Sequence, residues 1–296
     1  MPDHTPGQEG NQAQPTPEHM PAVPPDGAPD DLADGAAGAP SRTERVLDVV
    51  ATAGGLLCAA GGLTVMAAWF ARATAVLRLG SQNPMAFNTA LAVAVTGAAL
   101  AIGWPRASRA VLVAGVLDAT LGAASLAEGL LGRGLGIDQL IVKAYVSGPH
   151  AIPGRPAAGT AVSLALIGAA LLIWGRWHSR RRPAVLAAAG SLVGAIAITA
   201  ITGYATGTLQ AYTWGHATGM ALLSAVAMLI LAVCLLSVAW REAFQPHAGL
   251  PRWLPMPAGA AAFGLAGAVW QAIIAGSGGT GSRATNASAV LGLVMA

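Results

Sequence analysis

The stretch Asn83–Trp104, NPMAFNTALAVAVTGAALAIGW, is written a second time at Gly154–Gly175 as GRPAAGTAVSLALIGAALLIWG. A shift of 71 positions sets Thr89 on Thr160, Ala90 on Ala161 and Gly97 on Gly168. Ala98, Ala99, Leu100 and Ile102 then fall on Ala169, Ala170, Leu171 and Ile173. A fainter third copy starts near His216, a further 60 residues on, with Leu231 in the place of Leu171. Each copy is a turn, a short polar lead-in and about 20 apolar residues, which is one bilayer crossing. Internal repetition of this kind constrains architecture before any single residue is considered.

Further apolar runs flank the copies. Together they occupy 46–70, 85–104, 108–131, 157–175, 184–205, 217–240 and 257–275, and an eighth run begins at Asn286. That eighth run reaches eleven residues at Ala296, too few to cross a hydrocarbon core of about 30 Å at about 1.5 Å per residue. Only 10% of the chain is charged, against roughly a quarter in soluble domains. The pattern predicts an all-α polytopic membrane protein with seven transmembrane helices plus a truncated eighth. Parsed with the topology below, the copies give three parallel helical-hairpin repeats, made of runs two and three, four and five, and six and seven. Inverted repeats, common in alternating-access transporters, are not what this register produces.

Residues 1–41 hold seven acidic residues and no Lys or Arg, with abundant Pro and Gly. Such a segment cannot bury enough apolar surface to offset the entropy of ordering, and is expected to be a disordered cytoplasmic tail. The integral membrane domain is expected over 42–296. With the N-terminus inside, the inner connections carry ten Lys and Arg and the outer ones six, the strongest cluster being Arg176–Arg182. The positive-inside rule therefore places the N-terminus in the cytoplasm. The Arg-dominated basic set with abundant Ala and Gly is read as that of a high-GC bacterial genome, so the membrane is expected to be a bacterial cytoplasmic one. Tryptophans fall at the ends of runs, as interfacial residues do. The basic residues lie between apolar runs, where they set topology, so no nucleic-acid partner is implied.

Candidate sites are few. Asp118 and Glu128 are the intramembrane carboxylates, ten residues apart in run three. An ionisable group there is a functional candidate, although a carboxyl bonded to a neighbouring Ser, Thr or Gln serves packing alone. Asp118 is the deeper, and Glu128 is expected near the outer end, in reach of water. The outer connection from Gly132 to Pro156 makes Asp138 and Arg155 natural partners. Three helices are expected to start on that face, presenting unpaired N–H groups and partial positive charge. Asn88, Thr89, Thr160 and His216 lie beside those starts. Together with Asp138 and Arg155 they outline an outer cup for a small anionic or hydrogen-bonding ligand. Helix caps and loop fastening would need the same residue types. Cys58 and Cys234 sit inside apolar runs and read as packing thiols. No histidine pair has metal-ligand spacing and no nucleotide, zinc or nucleophile motif is present, so no catalysis, metal or cofactor is expected.

The pieces NTALAVAVTGAAL (Asn88–Leu100), GIDQL (Gly136–Leu140) and GRPAAGTAVSLALIGAALL (Gly154–Leu172) carry a resemblance. They resemble the multi-pass N-terminal sensor region of bacterial signalling proteins over about 42–296, most sharply at Gly136–Leu171. GRPAAGTAV departs from that family's pattern, which has a Met, a Ser and a second Pro there. The resemblance implies about eight helices that hand a signal to PAS and histidine-kinase, diguanylate cyclase or PP2C-type phosphatase modules, none of which follows in these residues. The expectation is a non-catalytic membrane-embedded sensory input region, truncated before its output domain. Its partners would be the lipid bilayer, a small extracytoplasmic or lipid-soluble ligand and, compatibly, a second copy of itself. A small-solute or proton-linked transporter using Asp118 and the outer cup is the alternative.

Overall fold

The computed structural model describes residues 41–79, 81–102, 108–148, 152–176, 179–206, 219–243 and 253–276. The acidic tail, His216 and the run from Asn286 lie outside them. The elements are α1 (Arg42–Phe70), α2 (Thr74–Arg78), α3 (Phe87–Ile102), α4 (Ser108–Leu131), α5 (Ala158–Arg176), α6 (Arg182–Thr206), α7 (Leu222–Ala243) and α8 (Pro255–Gly276). Among the described residues there is no strand. Five helices, α1 and α4 to α7, are long and apolar enough to cross a bilayer. The protein is therefore helical and membrane-embedded. Helix α3 is apolar but has 16 residues, about 24 Å at 1.5 Å each, and is short for a crossing on its own.

Local chemistry sets where α1 begins. Ser41 Oγ accepts the Glu44 backbone N–H at 3.2 Å while Glu44 Oε2 accepts the Ser41 N–H at 2.7 Å. This reciprocal box satisfies two of the N–H groups that a helix start leaves without partners. At the other end Trp69 is buried and donates Nε1–H to the carbonyl of Met85 at 2.9 Å. The chain then turns through Arg72, whose φ of 55° is left-handed, into the short α2.

Helices α1, α3, α4, α5, α6 and α7 pack in a closed circuit, each on the next and α7 back on α1, with α8 laid against α6. Further contacts of α7 with α3 and with α5 cross the middle of the circuit. The three copies of the repeated stretch, α3, α5 and α7, thus form the inner layer. In α5 and α7, 56% of the apolar window is buried, against 22% in α1, which leaves Val49, Leu56, Leu57 and Leu63 of α1 exposed as an apolar outer face. An apolar face of this kind suits lipid rather than water.

The closest packing is offset by one helix from the expected hairpins. It runs between α1 and α3, α4 and α5, and α6 and α7, not between the two arms of each predicted hairpin. Glycines explain the choice. A Cβ on Gly97 would lie 2.5 Å from the Gly55 carbonyl oxygen, and one on Gly168 would lie 2.8 Å from that of Gly115. Likewise a Cβ on Gly62 would meet Ala90 O at 2.6 Å, and one on Gly122 would meet Ala161 O at 2.6 Å. The inner partners differ by the 71-residue shift and the outer partners by 60, so both pairs use small residues at corresponding places. With no hydrophobic driving force between helices in lipid, backbone approach through small residues is what selects partners.

The circuit closes where α7 meets α1. Cys58 Sγ–H points to Ala227 O at 3.8 Å and Cys234 Sγ–H to Ala51 O at 3.7 Å. An Arg241–Asp48 ion pair at 2.8 Å lies at the helix ends beside them. At that same end of the bundle, Glu242 Oε1 accepts from Trp174 Nε1 at 3.1 Å and from Arg182 at 3.0 Å.

Candidate functional site

The longest connection between helices at the end opposite Glu242 runs from Gly132 to Pro156, and its charges meet over the last turn of α4. Gly132, in left-handed φ at 63°, ends that helix and lets the chain fold back. The Leu135 backbone N–H then donates to Glu128 Oε1 at 2.5 Å. The fold-back seals the carboxyl, and Glu128 is 0% exposed. This corrects the expectation that Glu128 reaches water. Its position near the helix end is right, but the returning connection covers it.

Arg155 approaches from the start of α5. Its Nε is 3.0 Å from Asp138 Oδ2 and 3.3 Å from Glu128 Oε2. The single hydrogen on Nε goes to Asp138, so Glu128 Oε2 receives charge but no hydrogen bond. Glu128 Oε2 and Asp138 Oδ1 are both buried without a hydrogen-bond partner. Gly154 permits the approach in two ways. It has a φ of 81°, and a Cβ there would lie 2.6 Å from Asp138 O. Burial is the main influence on the Asp138 carboxyl and raises its pKa above the ordinary range. Glu128 raises it further, against the lowering by Arg155.

The rest of the connection is stitched to several helices. Asn88 Nδ2, in the first turn of α3, donates to Ile137 O at 3.0 Å and Asp138 O at 3.4 Å. Gln139 donates Nε2–H to Pro153 O at 3.2 Å and accepts the Ala144 N–H on Oε1 at 3.2 Å. Tyr145 donates its hydroxyl to Trp69 O at 3.0 Å, and its ring stands edge-on to the Trp69 indole at 5.0 Å. Ends of α1, α3, α4 and α5 are thereby joined through one segment. A small cleft beside it, lined in part by Trp69, Asn83, Ser147 and Arg155, measures about 20 Å³, room for one water.

Of the residues foreseen for an outer cup, Asn88, Asp138 and Arg155 come together, with Glu128 added. Thr89 and Thr160 are each 1% exposed. They sit within the packed first turns of α3 and α5, not on an open surface, because the inner layer closes around them. His216 is outside the described residues. Asp118 is separate from this cluster. It lies mid-way along α4, 0% exposed, and accepts the Thr96 hydroxyl of α3 at 2.6 Å on Oδ2. Gln139 and Tyr145 were not singled out from the sequence. The signal present was a polar and an aromatic side chain in a connection otherwise rich in Gly and aliphatics.

The fold and the cluster define a membrane-embedded helical bundle with a fastened, charge-bearing connection at one end. No family model matches the chain, and neither a curated protein nor a solved structure matches it.

Proposed function

We propose that the chain is the sensory input region of a bacterial signal-transduction protein, multi-pass in the cytoplasmic membrane, with its N-terminus in the cytoplasm and no catalysis of its own. In this reading the count of crossings is seven plus an eighth run, and the 132–156 connection is extracytoplasmic. The repeat is a two-helix unit used three times, framed as α1 with α3, α4 with α5 and α6 with α7. The resemblance of Gly136–Leu171 to sensor regions supports the class.

The observation that carries the mechanism is the double attachment of the connection. Asn88 holds it to α3, and Glu128 holds it to α4 through the Leu135 N–H and the Arg155 guanidinium. A stimulus that favours one arrangement of this segment would thereby bias the packing of α4 on α5, and a signal needs such a difference in affinity between two states. The glycine-lined α4–α5 interface suits small shifts of helix against helix. The test fuses the chain in frame to a histidine-kinase output module and reads phosphorylation in membranes. Arg155→Ala is expected to change the output at equal membrane levels. Output that ignores Arg155→Ala and every other change in the connection would refute the proposal.

The proton-linked transporter reading has one observation in its favour, the buried Asp118 with Oδ1 lacking a hydrogen-bond partner. Proteoliposome flux abolished by Asp118→Asn would establish it in place of the sensor.

A further inference from the structure

Two carboxyl groups and one guanidinium meet at the end of α4, and their hydrogen-bond accounts do not balance. Glu128 Oε1 has the Leu135 N–H, and Asp138 Oδ2 has the Arg155 Nε–H. The two carboxyls flank the Arg155 Nε at 3.3 and 3.0 Å, and one oxygen of each, Glu128 Oε2 and Asp138 Oδ1, is buried and has no donor. Glu128 has no exposed surface, and the side chains of Asp138 and Arg155 are each 11% exposed. With both carboxylates ionised, a site nearly closed to water would hold two negative charges against one positive. Buried acceptors without a donor, and a buried charge without a partner, are each costly.

One hydrogen placed between the two carboxyls removes both defects. It turns one oxygen into a donor for the other and leaves one carboxylate opposite Arg155, so the cluster becomes neutral. Carboxyl pairs that share a site behave in this way because like charges at close range cannot both ionise easily. We infer that the Glu128–Asp138 pair is a proton-binding site, and that the bound proton latches the Gly132–Pro156 connection onto the end of α4. The inference rests on reading this connection as the input element, and it names the proton as a ligand that the element takes.

The direction of the response follows from the charged groups facing Asp138, which are Arg155 and Glu128. Burial and Glu128 together raise the Asp138 pKa. A raised group stabilises the latched form at low pH, and that contribution is lost as pH rises through its folded-state value. The latch is therefore closed in acid and released by alkali, on the face read as extracytoplasmic.

The Leu135 N–H reports the latch directly, because it donates to Glu128. Hydrogen–deuterium exchange on the full chain in lipid nanodiscs, corrected for the intrinsic pH dependence of exchange, reads its protection. In the wild type, protection of the peptide covering 132–140 is expected to fall about tenfold as pH rises from about 4, the ordinary carboxylate range, to about 9, the scale of one charge-assisted hydrogen bond. Glu128→Gln and Asp138→Asn each put a permanent N–H donor where the proton sat, so each is expected to hold the segment latched across that range. Corrected protection that stays flat with pH in the wild type would overturn the inference. So would an unchanged pH dependence in both variants. If one amide variant does not fold, the other carries the test. Because exchange needs no output module, this result is independent of the kinase fusion. A flat exchange profile beside a responsive fusion sinks the proton site alone, and the reverse sinks the sensor reading alone.

Discussion

Gly61 and Gly62 are neighbours in α1, and substitution with alanine is expected to leave the Gly62 variant the less stable of the two. A Cβ on Gly61 would meet nothing within 4 Å, whereas one on Gly62 would lie 2.6 Å from Ala90 O and 2.8 Å from both the nitrogen and the Cβ of Ala94. The obstacles at Gly62 are the backbone and a methyl group of α3, so no flexible side chain can yield and the two helices must separate. Overpacking of this kind costs about 1–3 kcal/mol. Both substitutions share the same gain in helix propensity, about 1 kcal/mol. The difference between the variants is therefore the overpacking cost itself, about 5-fold to over 100-fold in the unfolding equilibrium constant. Gly61→Ala is expected to be neutral or stabilising. Unfolding in mixed micelles by increasing sodium dodecyl sulfate, followed by far-ultraviolet circular dichroism, measures both. Gly122→Ala should behave like Gly62→Ala, since its Cβ would meet Ala161 O and Ala165 N at 2.6 and 2.5 Å. If Gly62→Ala is as stable as Gly61→Ala, the face of α1 turned toward α3 is wrongly assigned.

Thr96→Val keeps the shape of the side chain and removes the hydroxyl that Asp118 accepts from. A loss of about 1–3 kcal/mol is expected in the same unfolding assay, and no loss would mean that the α3–α4 bond does not form. For orientation, a reporter fused after Arg182 is expected to be active in the cytoplasm and one fused after Ser147 is not; the reverse pattern would overturn the placement of the N-terminus.

Helix positions were largely legible because bilayer-length apolar runs leave little choice. The run at 157–175 became Ala158–Arg176 and the run at 46–70 became part of Arg42–Phe70. Ser41 and Glu44 extend α1 backward past its apolar residues, which a hydropathy reading does not weigh. Helix partners were harder. Matching Gly97 with Gly168 revealed related helices but not which flanking helix each touches. That depends on Gly55, Gly62, Gly115 and Gly122, whose faces emerge only when the helices are set side by side. In the site, opposite charge was enough to suggest Asp138 with Arg155. The burial of Glu128 depends on a backbone N–H seven positions on, at Leu135, and backbone groups leave no mark in a residue pattern.

The offset pairing also bears on how the chain can be made. Each close partnership, α1 with α3, α4 with α5 and α6 with α7, joins elements that leave the ribosome one after the other, so each pair can settle in the membrane before the next is synthesised. The seam between Cys58 of α1 and Cys234 of α7 must wait, its halves separated by most of the polypeptide. Until α7 arrives, the inward side of α1 stays open to whatever else is being inserted nearby. The seam is thus a late step of assembly, open for as long as α3 to α6 are being made.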